Sequence, residues 1–361
     1  MTCTNTENEK RNFLSTSFNI ASAVSAYWVT SIGLVFINKY LLSSPELKLN
    51  APLFITWYQC VCTVGFCYLF ALLKKLFPNI VKFPEMNYDI QICRKIIALS
   101  FVFVGMITFN NLCLQYVGVS FYYVGRSLTT VFNVLCTYLI LGQKTSFPAI
   151  LCCGLIILGF FLGVDQENVG GTLSIAGVVF GVLASLFVAL QAIYVKKTLP
   201  DVNQSIWRLT LHNNVNACII FIPLIILSGE ITRIPHFQYL WTVKFWSMMT
   251  LSGFLGFIMG YVTGWQIQAT SPLTHNISGT AKAAAQTVIG VIFYAEVKTF
   301  LWWTSNVIVL IGSGLYTKVK SVELKRTIEK ENVKEERKVL SIDNSSTTCT
   351  NTSNQEETKT T

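Results

Sequence analysis

Two basic residues lie inside long apolar stretches of the sequence. Arg126 is about seven residues into the stretch 119–141, and Lys282 is about ten residues into the stretch 273–294. If both stretches are helices, these side chains start roughly 10 and 15 Å along them. Inside a membrane such a charge costs about 2.5 to 3.5 kcal/mol, even on lenient insertion scales. Each charge therefore predicts a compensating partner.

Carboxylates are absent from the middle of every apolar stretch. Outside the tails they lie in loops or near the ends of stretches, at Glu46, Glu85, Asp89, Asp165, Glu167, Asp201, Glu230 and Glu296. Buried cations without counter-ions are destabilising unless a water-filled cavity hydrates them or a bound anion neutralises them. Arginine binds phosphate oxygens through two parallel hydrogen bonds, and lysine adds a compact positive charge. The pair therefore predicts a diphosphate site. The alternative is that the aliphatic stem of Arg126 lets the charged group reach interfacial water, as we expect for Lys39 at the end of its stretch.

Further candidate ligand contacts share helix faces with the two cations. Those that we expect to contact substrate are Tyr122, Thr130, His275, Ser278 and Gly279. Gly279 would let a ligand approach the backbone closely. The alternative for the polar residues of these faces is hydrogen bonding between membrane helices.

Side-chain amides cluster in the apolar stretch 205–228. The segment LHNNVN contains Asn213 and Asn214. An amide donates and accepts at once, which matches the edge of guanine, where the O6 acceptor lies beside the N1–H and N2–H donors. Hydrogen bonding between helices is an equal alternative.

Small residues form a regular face in the next stretch, 245–268. Gly256, Gly260 and Gly264 are spaced four residues apart. This spacing lets membrane helices approach closely. We predict that the three glycines pack against a neighbouring helix.

The composition requires elements that cross a membrane. Of the 361 residues, 52% are hydrophobic and only 12% are charged, and the mean hydropathy is +0.52. Soluble domains contain about 25% charged residues. Apolar windows of about 20 residues predict ten spans, at 18–41, 52–77, 96–116, 119–141, 146–164, 172–195, 205–228, 245–268, 273–294 and 299–318. The predicted fold class is an all-α integral membrane protein with ten transmembrane helices.

These spans divide into two repeats of five. The segment from Gly125 resembles the one from Ala281, since each has a basic residue in a span, a Lys-Thr loop and a glycine-spaced span. Five spans per repeat require opposite insertion, and inverted repeats are typical of transporters with a midplane site. We predict an N-terminal tail at 1–17, repeats at 18–164 and 165–319, and a disordered tail at 320–361. The distribution of Lys and Arg predicts that both tails are cytosolic.

Other function classes require residues that this chain lacks. The eleven cysteines show neither zinc-ligand spacing nor a disulfide framework, so no metal or cofactor is predicted. A membrane glycosyltransferase would bind a diphosphate as part of its nucleotide-sugar donor, but it needs carboxylates for acid–base or metal chemistry and a large loop to hold them. A receptor or scaffold is the third class, after transporters and enzymes, and it would not accumulate a labelled ligand in vesicles.

Several long segments resemble a known transporter family. NLCLQYVGVSFYYVGRSLTTVF, residues 111–132, and INKYLL, residues 37–42, are similar to motifs of the nucleotide-sugar and triose-phosphate translocators in the drug/metabolite transporter superfamily. SIWRLTLHNNVNAC and GYVTGWQIQATSPLTHNISGTAKAAAQTV are closer to its GDP-sugar carriers. Where those carriers have FYNN for guanine and GALNK for phosphate and sugar, this chain has Leu211 to Asn214 and Gly279 to Lys282. Ala283 replaces a second basic residue typical of the triose-phosphate branch.

The resemblance implies a function as well as a fold. It implies an antiporter, not an enzyme, that imports GDP-fucose from the cytosol into the Golgi lumen in exchange for GMP. Transport of GDP-mannose or of a small phosphorylated metabolite is the alternative. The resemblance implies a place in the bilayer of the Golgi membrane and no nucleic-acid partner. It leaves open whether the protein forms a homodimer. Because no carboxylate is deep in a span, proton or sodium coupling is not predicted.

Overall fold

The structure is a computed structural model in which every regular element is a helix across the described residues, which are 2–44, 49, 51–79, 83–117, 119–142, 145–169, 174–270, 272–323 and 326. Within the helices, no side chain is described at 2–17, 43, 119–121, 141, 169, 264, 267–268, 272–277 and 280. The tail beyond 326, predicted to be disordered, lies outside the described residues.

The long helices follow one another through short connections. They are α1 (Thr2–Ser43), α2 (Pro52–Leu76), α4 (Ile97–Tyr116), α5 (Val119–Leu141), α6 (Phe147–Val169), α7 (Ile175–Thr198), α8 (Ile206–Leu227), α10 (Val243–Ala269), α11 (Pro272–Phe293) and α12 (300–323). Three short helices lie between them: α3 (Ile90–Lys95), a 3₁₀ turn (Leu199–Val202) and α9 (Glu230–Arg233).

The apolar windows predicted these helices closely. Seven of the described helices are long and apolar enough to cross a membrane, which confirms an all-α integral membrane protein. Three ends differ by five residues or more, that of α12 at 323 among them, because apolar windows stop at polar residues. Helix α1 begins at Thr2, and α6 continues to Val169, so the predicted repeat boundary at 164/165 falls inside a helix.

Helix packing brings the two halves of the chain together. Helix α4 packs against α7 and α8, α2 against α8 and α10, α1 against α10, and α5 against α7 and α11. In lipid this association depends on close van der Waals packing rather than on water exclusion. Glycines permit it at the tightest crossings: a Cβ on Gly105 would lie 2.4 Å from Phe187, and one on Gly159 would lie 2.7 Å from Val309.

At one end of the molecule, two charged side chains form hydrogen bonds with helix termini. Lys39 Nζ donates to the carbonyls of Leu114 and Val117 at 2.7 and 2.6 Å, so it satisfies the C-terminus of α4. Lys39 thus binds a helix end, and that its stem also reaches interfacial water stays a prediction. Glu230 accepts from the backbone N–H groups of Leu53 and Phe54, at the start of α2. Burial raises the pKa of Glu230, while these two donors oppose the rise.

At the same end, an ion pair and a hydrogen bond join α6 to the start of α12. Glu167 Oε1 accepts from Lys298 Nζ at 2.6 Å and from Trp302 Nε1 at 2.8 Å. The carboxylate is almost fully buried, which requires such a partner. Glu167 is thus committed to a local ion pair at the helix ends.

Candidate functional site

Two cavities lie side by side between the helices. The first, of about 490 Å³, is enclosed by α1, α5, α7, α11 and α12. The second, of about 470 Å³, is enclosed by α1, α2, α4, α5, α7, α8 and α10. Each volume falls in the range of about 300 to 1,000 Å³ common for small-molecule sites. Arg126 and Val188 line both cavities, so Arg126 lies where the two meet.

Arg126 contacts a tyrosine of its own helix, which in turn bonds to an amide on α4. Its Nη1 lies 3.5 Å from the hydroxyl of Tyr122, which itself donates to Asn110 Oδ1 at 2.8 Å. The guanidinium carbon lies 5.7 Å from the centroid of the Tyr122 ring. Arginine has five N–H donors, and these contacts use one. Within the described part of the chain, no carboxylate forms an ion pair with Arg126.

Lys282 extends from α11 toward α1 in the first cavity. Its Nζ donates to the hydroxyl of Ser31 and lies 4.9 Å from the centroid of the Tyr27 ring. No described carboxylate pairs with it either. The first cavity therefore has two cationic side chains in its wall.

Neutral partners make these cations tolerable without cancelling their charge. A cation over an aromatic face gains about 0.5 to 2 kcal/mol, and a hydrogen bond to a charged group gains about 1.5 to 3 kcal/mol. Together these gains are comparable to the insertion penalty of about 2.5 to 3.5 kcal/mol for each ion. The charges can thus stay in the protein while the field in the cavity remains positive. Such a site favours a multiply charged anion.

The structure separates the other predicted residues into three groups. Thr130 and Gly279 line the first cavity beside the two cations. Tyr122, Asn213 and Asn214 line the second cavity. Ser278 lines neither cavity, and His275 has no described side chain.

Ser278 and His275 do not contribute described contacts to either cavity. Ser278 accepts hydrogen bonds from Trp28 Nε1 and Gln266 Nε2, each at 2.9 Å, so it links α11 to α1 and α10. His275 lies in α11, but its side chain is outside the described part of the structure. Ser278 thus acts here as a junction between helices.

The glycine face of α10 contradicts its predicted role. Gly256 and Gly260 line the second cavity, and a Cβ on either would meet nothing within 4 Å among the described residues. They are not packing glycines. That role falls to Gly253, where a Cβ would lie 2.5 Å from Cys62 of α2. Gly264 lies in α10, but its surroundings are not described. Four-residue spacing marks a smooth helix face and does not specify what lies against it.

Several polar residues of the second cavity were missed because each is isolated within an apolar stretch. Gln59 Nε2 donates to Asn38 Oδ1 at 2.9 Å and to Ser252 Oγ at 2.6 Å, which joins α1, α2 and α10. Gln191 also lines this cavity, and its Oε1 is buried without a hydrogen-bond partner. The only signal for them in the sequence was one side-chain amide in each span.

Comparison with known proteins identifies similar chains. The profile of the Triose-phosphate Transporter family matches residues 18–317. A Caenorhabditis elegans protein named GDP-fucose transporter is 64% identical over 313 residues, which are 87% of this chain and 84% of that protein. Mus musculus GDP-fucose transporter 1 is 58% identical over 323 residues, or 90% and 89% of the two chains. The Drosophila melanogaster GDP-fucose transporter, Golgi, is 50% identical over 319 residues, or 88% and 95%.

Proposed function

Because the chain belongs to the Triose-phosphate Transporter family, we propose that it carries GDP-fucose from the cytosol into the Golgi lumen in exchange for GMP. The family is one of transporters, so the chain is a membrane transporter and not an enzyme. The cargo is suggested by the names of the animal relatives, and the compartment by the name of the fly protein.

A single observation carries the proposal: Arg126 lines both cavities. In the first cavity it is accompanied by Lys282, and in the second by Asn213 and Asn214. A nucleoside diphosphate sugar has its charge between a base and a sugar, so its diphosphate would bind at the junction. The base would then enter the second cavity, where the amides lie, and the fucose the first.

The same charges give a physical reason for exchange. To reorient empty, the carrier would have to bury two cations that no described carboxylate neutralises, which is unfavourable. A bound phosphate group neutralises them, so the loaded carrier crosses the barrier more readily. Obligatory exchange of one guanine nucleotide for another follows from this difference.

The proposal includes two inverted repeats of five spans that rock about the site, with both termini in the cytosol. The packing supports it. The first five long helices, in chain order, can be matched with the last five, so that α1 corresponds to α7, α2 to α8 and α4 to α10. The α4–α7 contact then corresponds to the α10–α1 contact, and the α2–α10 contact corresponds to the α8–α4 contact. A two-fold axis within the membrane plane would produce this pairing.

Exchange predicts strong trans-stimulation. Liposomes that hold the protein and are preloaded with GMP are expected to take up labelled GDP-fucose at least about tenfold faster than empty liposomes, since only the loaded carrier reorients. The measurement is the initial uptake rate. Liposomes preloaded with UMP are the control. Equal rates in empty and GMP-loaded liposomes, or uptake driven by a pH gradient alone, would contradict exchange.

Asn213 is expected to matter more than Asn214 for the choice of base. Asn214 already donates to the Thr210 carbonyl at 2.8 Å, whereas Asn213 Oδ1 is buried without a partner. Asn213→Ala should weaken competition by GMP about 3- to 10-fold relative to UMP, the effect of one hydrogen bond. Asn214→Ala should have a smaller effect. Equal inhibition of the unmodified protein by GMP and UMP would remove the guanine role.

A further inference from the structure

The wall that α10 gives to the second cavity has two glycines beside Met259. Gly256 and Gly260 lie one turn apart on α10, and both face this cavity. A methyl group at either position would have no described neighbour within 4 Å. The wall therefore has room that the protein itself does not fill.

Two side-chain amides with unused hydrogen-bonding capacity line the same cavity. Asn213 is only 5% exposed, and its Oδ1 has no hydrogen-bond partner. Gln191 Oε1 is likewise buried and unpartnered. A buried amide without partners is unfavourable, so both residues favour a polar occupant. In both residues the unpartnered atom is the amide oxygen, which can accept a hydrogen bond from that occupant.

The helix register places the two amides at one level. Gln191 lies seven residues before the end of α7 at Thr198, and Asn213 lies seven residues after the start of α8 at Ile206. These ends are joined by the turn at 199–205, so both residues lie about 10 Å from the same end of the molecule. Gln191 shares its face of α7 with Val188, three residues earlier, which lines both cavities.

We propose that Gln191 is a specificity-determining residue that reads the base of the nucleotide together with Asn213, and that the Gly256–Gly260 wall receives the flat face of that base. The inference rests on the proposed function. Guanine presents an acceptor and two adjacent donors along one edge, enough for two amides. The two unpartnered amide oxygens match the adjacent N1–H and N2–H donors of guanine. Uracil has the O2 acceptor in place of the exocyclic amine, so one oxygen faces an acceptor when UMP binds. The site rejects uracil for that reason.

The role of Gln191 is tested by competition binding on the purified full chain in detergent. Labelled GMP is displaced by GMP, by IMP, which lacks the 2-amino group, and by UMP. Gln191→Leu is expected to weaken GMP about 3- to 10-fold, with little change for UMP, so that GMP and IMP become nearly equal. Gln286→Leu is the matched control, because the amide of Gln286 is buried and unpartnered but lines neither described cavity.

The glycine wall is tested by adding one methyl group. Gly260→Ala is expected to leave thermal unfolding unchanged and to weaken GMP binding at least about fivefold, because the methyl fills space that the base occupies. Gly154→Ala in α6 is the control, since its Cβ also has no described neighbour within 4 Å and it lines neither cavity.

The outcomes separate this inference from the function on which it rests. If the unmodified protein binds no GMP, the proposed function fails. If it binds GMP and prefers it to UMP, but Gln191→Leu and Gly260→Ala both match their controls, the base binds elsewhere and this inference alone is overturned. Selective loss of GMP over UMP in Gln191→Leu, with Gln286→Leu unchanged, supports it.

Discussion

Arg126→Ala is expected to abolish nucleotide exchange while the protein still inserts into the membrane. Removing one partner of a desolvated charge pair costs about 2 to 5 kcal/mol of binding, which corresponds to about 30- to 5,000-fold. Because Arg126 lines both cavities, we expect it to contact a nucleotide bound in either one. The measurement is GMP-for-GDP-fucose exchange in liposomes, normalised to inserted protein.

The same variant is expected to lose no stability, in contrast to its loss of exchange. An unneutralised guanidinium in a span is unfavourable by about 2.5 to 3.5 kcal/mol before its partners are counted, so the empty variant should unfold at the same or a higher temperature. The stabilisation that GMP confers on the unmodified protein should disappear. Arg208→Ala is the control, because Arg208 lies in α8 and lines neither cavity.

Two results would contradict the assignment of Arg126. Near-normal exchange by Arg126→Ala would show that the anion binds elsewhere. A large fall in unfolding temperature would show that the arginine holds the Tyr122–Asn110 contact in place. Arg126→Lys keeps the charge but loses the two-pronged geometry, so partial activity in that variant would favour a phosphate contact over a structural one.

Helix positions were predictable from the sequence because lipid imposes a simple rule. A span needs about 20 apolar residues, so α5 and α8 were predicted to within one residue at each end. A window of apolar residues marks only the part of a helix that contacts lipid, and it does not mark where the helix itself ends. It therefore missed the polar turns of α6 that continue to Val169, where Glu167 pairs with Lys298.

The cations of the site were predictable for a related reason. A charge is so unfavourable in lipid that Arg126 and Lys282 stand out in a single sequence, and both line the first cavity. Uncharged residues give no such signal. Gln191 and Gly260 required the cavity to be seen, and Ser278 had the right spacing but forms helix contacts instead. Spacing identifies a face, and only packing decides whether that face meets a helix or a cavity.

Lys282→Met is expected to lower exchange about 30-fold or more. Methionine keeps the unbranched shape of the lysine stem and removes only the charge. The ammonium lies in the first cavity with Arg126, so its loss leaves one cation to bind the diphosphate. The measurement is the concentration of GDP-fucose that half-saturates exchange, together with the maximal rate. Lys282→Arg keeps a positive charge and should retain part of the activity.

A structural role for Lys282 must be separated from anion binding, because its Nζ also bonds to Ser31 of α1. Ser31→Ala removes that bond and leaves the charge, so it should lower exchange only about 3- to 10-fold. If Ser31→Ala were as inactive as Lys282→Met, the lysine would act by holding α1 against α11. If Ser31→Ala stays active, the charge itself is required.

Combining the two cation variants tests whether both side chains bind one anion. Independent sites would lose activity additively, so the free-energy effects of Arg126→Ala and Lys282→Met would sum in the double variant. Cations that share one diphosphate should instead show coupling, since the remaining charge in either single variant can no longer hold the group in place. We expect the double variant to bind GDP-fucose little worse than whichever single variant binds it more weakly. Full additivity would place the two cations on separate ligands and remove the shared diphosphate site.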